Sequence, residues 1–233
     1  MSDLPIVLAC GQLLTGETWR PQRDAWGGRR AVTVADHARD DTIAGMAERL
    51  LAAAPPRFAL VAHAMGGFVA FEVMRRAPER VGSLVLVATL ASADGPAQTA
   101  RRQGYIELVE QGRFAAVVEE RIPLLLPRDR RGDAGLLAPA RAMAAETGAA
   151  TFLRQQRAIM ARIDSRPSLP AIAAPTLVLW GDADGITTRV HQDEIVAGIP
   201  GAALTIMPGI GHLPMLEATE RTTALIDGWL DRA

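Results

Sequence analysis

Six short apolar runs, each bounded by turn residues, constrain this chain more than any other feature: PIVLAC (5–10), AVTVA (31–35), FALVA (58–62), LVLVA (84–88), TLVLW (176–180) and ALTIM (203–207). They are largely continuous rather than alternating, the pattern of strands buried on both faces. Helical patterns separate them. Over 42–54, Ile43, Met46, Ala47, Leu50 and Leu51 share one face, with Asp40 and Asp41 near the N-terminus. Residues 68–76 open apolar nearly all round, as a central buried helix would, and 217–230 gathers Leu225, Ile226, Trp229 and Leu230 on one side. Alternating strand and helix predicts an α/β fold: a mostly parallel central sheet with helices on both faces.

The alternation stops over 97–166, where helical periodicity persists without a convincing strand and Pro123, Pro127 and Pro139 divide the segment into short helices. Residues 1–96 and 167–233 therefore form the expected core, and 97–166 an all-helical cap over the carboxyl edge of the sheet, where ligands of such sheets bind. Leu124, Leu125, Leu126, Met143, Phe152 and Met160 offer more apolar surface than a thin helical layer needs for itself. Leu125, Met143, Phe152 and Met160 are the expected substrate-binding side chains.

At 233 residues with 49% hydrophobic content, the chain is long enough for one sizeable core. A net charge of −1 gives no electrostatic case for nucleic acid or an anionic membrane, and all 25 basic residues are arginine. Cys10 is the sole cysteine, so no intramolecular disulfide can form. MSDLPIVLAC lacks the basic flank of a signal peptide, and no apolar run approaches the roughly 20 residues that span a bilayer. A cytoplasmic protein is expected, with oligomeric state undetermined.

The stretch VAHAMGG (61–67) carries the chemical question. A strand, a sharp turn and an apolar helix make up a nucleophile elbow, G-x-S-x-G, whose flanking residues are small because strand and helix backbones nearly touch. Ala62, Gly66 and Gly67 supply the small flanks, but Ala64 stands where the nucleophile belongs.

VAHAMGGFVAFEVMRRAPERVGSLVLVAT, PTLVLWGDAD and PGIGHLP resemble the α/β-hydrolase superfamily, whose elbow commonly reads G-H-S-M-G-G. The resemblance spans the sheet domain in the order nucleophile, acid, histidine. It implies Asp184 of Gly181-Asp182-Ala183-Asp184 as the acid, with Asp182 the fallback, and His212 as the base. A histidine in a loop after the last strand suits proton transfer near neutrality. The resemblance further implies an oxyanion hole from the backbone N–H groups of Met65 and Gln12. Cys10 stands where the family often has His, and Trp19 fits a packing position. His63 is expected to pack beneath the elbow, and His37 and His191 to lie on the surface. No histidines share a metal-ligand spacing, so neither metal nor cofactor is expected.

Three accounts of Ala64 remain. A serine was replaced by alanine, as one would do to trap an intact substrate; a hydrolase fold naturally binds a small apolar ligand without turning it over; or other residues do the chemistry. A buried Cys10 in an apolar strand is a poor nucleophile, which weakens the third. The first explains most, because a retained acid, base and strained turn have no purpose in a silent domain. The implied parent is a Ser-His-Asp hydrolase of carboxylic esters or related acyl bonds acting on a small molecule, and the chain as written is expected to be catalytically inactive.

Overall fold

The computed structural model describes residues 4–232. Six parallel strands, β1 (Ile6–Ala9), β2 (Val32–Val34), β3 (Phe58–His63), β4 (Val81–Val87), β5 (Thr176–Gly181) and β6 (Ala203–Met207), form one sheet in the order β2-β1-β3-β4-β5-β6. Every apolar run read from the sequence is a strand here. β4 begins at Val81 rather than 84: Gly82 and the buried Ser83 interrupt the apolar run, and the pairing with β3 slips by one residue at Gly82 before continuing from Ser83.

Successive side chains leave a strand on opposite faces, so the buried strands feed two cores. Ile6 and Leu8 of β1, Val61 of β3 and Val85 of β4 pack on one side with α1 (Arg20–Trp26) and α9 (Thr219–Leu230), through Trp26, Ile226 and Leu230. Val7, Leu60 and Leu86 pack on the other, against α2 (Ile43–Ala53), α3 (Met65–Arg76) and α7 (Arg189–Gly198). Thr42 caps α2 by accepting the Gly45 N–H at 3.0 Å. The short α8 (Pro214–Glu217) precedes α9.

Between β4 and β5 the chain runs through α4 (Pro96–Glu110), α5 (Phe114–Arg121) and α6 (Ala134–Met160), the last two joined through 3-10 turns, with no strand among them. Pro123 and Pro127 lie in those turns. Pro139, expected to break a helix, sits instead as the sixth residue of α6, where the helix continues past it without the i→i−4 bond its nitrogen cannot donate. The discontinuity falls at Gly148, whose φ of 72° only glycine adopts freely.

The strand order reverses between β1 and β3, as the chain turns back from β2 to the far side of β1. Such a switch point leaves a crevice outside the carboxyl ends of the two strands. The loop at Gly11–Gln12 and the turn at Ala64 flank it.

Candidate active site

Ala64 joins β3 to α3 with φ 50° and ψ −112°, a conformation an L-residue pays for. Three bonds hold it: its N–H donates to the Val87 carbonyl at 3.0 Å, and its own carbonyl accepts from the Gly67 N–H at 2.9 Å and the Thr89 hydroxyl at 2.7 Å. The glycines behind it are obligatory. A Cβ on Gly66 would stand 2.3 Å from the Ala9 carbonyl oxygen, and one on Gly67 2.2 Å from Thr89 Oγ1. The elbow geometry is thus built into backbone and small residues, independent of what side chain position 64 carries.

At the end of β5 the chain turns so that Asp184, its side chain fully buried, faces His212 with Oδ2 2.8 Å from Nδ1. An ionised carboxylate only accepts, so Nδ1 carries a ring proton, and in the neutral imidazole Nε2 keeps the lone pair. The other contacts of Asp184 come from its own turn: Oδ1 accepts the Ile186 N–H at 2.7 Å and the Thr187 N–H at 3.2 Å, and Oδ2 accepts the Thr187 hydroxyl. Burial pushes this carboxyl up, but His212, Thr187 and the Ile186 amide together hold it below the ordinary aspartate range. Asp182, the alternative acid, is exposed and accepts the Gly209 N–H at 2.7 Å, tying the two loops together away from the imidazole.

His212 is held from every side. Its N–H donates to the Leu125 carbonyl at 2.9 Å, and its carbonyl accepts from His63 Nε2 at 2.8 Å. The amides on either side, Gly211 and Leu213, both donate to the carboxylate of Glu217 at 2.9 Å. Glu217 has no exposed side-chain surface, and burial raises its carboxyl above the ordinary glutamate range in spite of those two amides. Burial likewise drives His63 down to about 3, so it is a neutral donor at any ordinary pH. Glu217 and the His63 bond were not foreseen: nothing in their local pattern marks a residue whose partner is a distant loop.

Ala64, Met65, Gln12 and His212 line one cleft of about 80 Å3. No described protein group accepts the backbone N–H of Gln12 or of Met65. Gln12 stands in a loop whose next residue, Leu13, has φ 65° and donates its N–H to Gln155 Oε1 of α6 at 3.3 Å. The Gln12 side-chain amide is buried with neither atom paired.

Of the four side chains expected to contact substrate, Leu125 lines the cleft. Met143 and Phe152 do not: both are buried in the core beneath the helical segment, where Phe152 packs on Phe114 at a centroid distance of 5.8 Å. Met160 is likewise absent from the cleft wall, which its neighbour Ile159 occupies instead. Arg121, over the Phe152 ring at 5.9 Å, lines the cleft in place of that ring. His37, expected at the surface, is buried, because the loop after β2 tucks under α6 where Gln155 Nε2 donates to its carbonyl at 3.4 Å. His191 is half-buried and accepts the Thr188 N–H through Nδ1 at 3.0 Å. Cys10 is buried, its thiol pushed up to about 12 by desolvation, and Trp19 is wholly buried. Among the described residues no three His, Cys, Asp or Glu side chains converge as a metal site, and no helix is long and apolar enough to cross a membrane.

Residues 6–225 match the model of the alpha/beta hydrolase family. The chain belongs to that family. Among alpha/beta hydrolases and their relatives it is 32% identical over 215 residues to RutD of Azorhizobium caulinodans, named as a candidate carbamate hydrolase, covering 86% of this chain and 81% of that one. It is 28% identical to a pimeloyl-[acyl-carrier protein] methyl ester esterase of Edwardsiella ictaluri, covering 97% and 93%. A malate-bound thermophilic esterase from Thermogutta terrifontis superposes with a TM-score of 0.89 at 27% identity, over 99% of this chain and 90% of the other. The fold of this alpha/beta hydrolase thus extends over nearly its whole length.

Proposed function

We propose that this chain has the site of a serine hydrolase of carboxylic esters or related acyl bonds, with the nucleophile's place at position 64 taken by alanine. The observation that carries the reading is His212: its Nδ1 is committed to Asp184, and its Nε2 lone pair is free in the cleft that Ala64 lines. Two unused backbone donors, at Gln12 and Met65, line the same space. A base, its orienting acid and a pair of donors together suit acyl transfer.

With serine at 64, the Oγ attacks the substrate carbonyl carbon while His212 Nε2 takes the hydroxyl proton. Asp184 stabilises the resulting imidazolium, and the Gln12 and Met65 N–H groups receive the tetrahedral oxyanion. The C–O bond to the alcohol then breaks, the alcohol leaving with the proton from His212. Water, deprotonated by His212, attacks the acyl-enzyme and frees the acid. In the chain as written the methyl of Ala64 can do none of this, so an ester binds and stays whole. Residues 97–166 serve as the cap of the cleft, contributing Leu125, Ile159 and Arg121 to its wall. The ester class is supported by the named activities of the esterase relatives, and carbamate is the variant to test beside it.

Alanine at the elbow also favours a second reading, a ligand-binding hydrolase fold that performs no chemistry. Ala64→Ser separates the two. The hydrolase reading expects the variant to cleave p-nitrophenyl acetate or the matching carbamate and to be labelled by a fluorophosphonate, at rates some 10⁴-fold or more above the chain as written, since losing a triad nucleophile can lower kcat about 10⁶-fold. A folded variant that neither labels nor turns over leaves the binding reading.

A further inference from the structure

The cleft has a second end, and arginine rather than hydrocarbon builds it. A chamber of about 130 Å3 lined by Arg101, Arg102, Tyr105, Arg121 and Leu124 adjoins the space at Ala64 and His212, the two sharing Arg102, Arg121, Leu125 and Ile186 as common wall. Arg121 is the last residue of α5 and folds inward over Tyr105, at 5.1 Å from the ring centroid, as well as over Phe152.

These stacks account for the faces of the guanidinium but not for its edge. Arg121 has five N–H donors, and no described side chain or carbonyl accepts from any of them. The carboxylates nearby are occupied. Asp94 accepts from Arg102 Nε at 2.5 Å and pairs with Arg162 at 2.8 Å, one acid serving two cations. Glu120 receives the Tyr105 hydroxyl at 2.7 Å. Arg102 also donates to Gln156 at 3.1 Å, so its role in the fold is plain, while Arg101 is exposed and adds charge at the chamber's rim. Desolvation and the neighbouring Arg102 and Arg101 charges lower Arg121 to about 10. A cation in such a place, short of acceptors and crowded by like charge, is one that an incoming anion relieves.

We infer that Arg121 receives an oxyanion of the substrate, a carboxylate or a phosphate monoester, at the end of the cleft remote from the scissile bond. This rests on the hydrolase reading only in that it takes the Ala64 end as the place of the acyl group. A substrate of this class is an ester whose acyl or alcohol part ends in a negative charge, planar carboxylate and guanidinium matching edge to edge. Neutral esters fit the same cleft but leave the guanidinium edge unpaired.

The chain as written allows binding to be read without turnover. Isothermal titration with methyl hydrogen adipate, methyl 4-(phosphonooxy)butanoate and dimethyl adipate should show at least one anionic ester binding tenfold or more tighter than the neutral diester. The two anionic arms tell carboxylate from phosphate recognition. The preference should shrink as sodium chloride is raised. Arg121→Gln should abolish the preference, so that anionic and neutral esters bind alike, with far-ultraviolet circular dichroism and urea unfolding as the check of fold. Arg121→Lys should keep a reduced preference and supplies the test if the glutamine variant does not fold. Equal binding of all three esters, a preference that survives in Arg121→Gln, or no binding of any ester at millimolar concentration overturns the inference. Parallel assays in Ala64→Ser keep the two proposals apart. A variant that hydrolyses both ester types equally retains the hydrolase and loses the anion site; an inert variant that still binds the anionic ester selectively does the reverse.

Discussion

Glu217 offers the sharpest test of how the site is held together. Its carboxylate accepts both amides flanking His212, from Gly211 and Leu213, and no part of its side chain reaches solvent. Glu217→Ala removes both acceptors at once. Each amide left unpaired in a buried loop costs about 1–3 kcal/mol, so the variant should lose about 2–6 kcal/mol, a large share of a typical domain's stability. Glu217→Gln is milder. The amide oxygen can keep one of the two bonds, and removing the charge relieves the burial cost that already raises this carboxyl, so a net loss of about 1 kcal/mol is expected. Urea unfolding at pH 7 measures both. In an Ala64→Ser background the glutamine variant should lower kcat with little change in KM, because the group displaced is His212, the proposed base. A purely structural loss would leave kcat of the folded fraction unchanged. If Glu217→Ala unfolds within 0.5 kcal/mol of its parent, the view that this carboxylate fixes the histidine loop is wrong.

His37 makes a pH prediction. It is buried with both ring nitrogens unpaired, and desolvation lowers it to about 4. The unfolded chain takes up its proton near pH 6.5 while the folded chain does not, so stability is lost as pH falls between 6.5 and 4. His37→Leu removes that proton uptake, and the stability gap between the variant and its parent should shift in the variant's favour by about 2.5 kcal/mol from pH 8 to pH 4.5, read by urea unfolding; an unchanged gap would show that His37 charges freely in the fold. Gly66→Ala forces a methyl onto the Ala9 carbonyl and should destabilise by about 3 kcal/mol or more. Gly104→Ala, in α4 with nothing within 4 Å of the added carbon, should instead stabilise by about 0.5–1 kcal/mol. Thermal unfolding compares the pair, and equal effects would refute the close-approach argument.

The sheet was legible because a strand buried on both faces must be apolar at nearly every position, and Ile6–Ala9, Phe58–His63 and Thr176–Gly181 are. The resemblance to the α/β-hydrolases suggested Asp184 beside His212, and turns after parallel strands open on one edge, where the two meet. What lay hidden were contacts between elements with no shared sequence pattern. Phe152 and Met143 read as pocket-lining because they are large and apolar, yet that quality equally suits the interior of a three-helix layer, which is where they lie. Arg121 carried no signal in the sequence for the complementary reason: a guanidinium turns inward only where rings such as Tyr105 and Phe152 accept its face. Glu217 read as the start of a helix and not as the support of a loop five residues earlier.

The hydrogen bond from the His212 amide to the Leu125 carbonyl has an evolutionary side. Inserted segments over a sheet are commonly regarded as interchangeable parts, free to vary so that one scaffold can meet many substrates. Here the segment between β4 and β5 supplies a strut to His212, the proposed base. Grafting another segment in place of 97–166 would therefore alter reactivity along with selectivity, and a lineage that reshapes its pocket must preserve the backbone path at 125 or find a new support for the histidine. Freedom to diversify lies on the inward-facing side chains, while the main chain that carries them is bound to the chemistry.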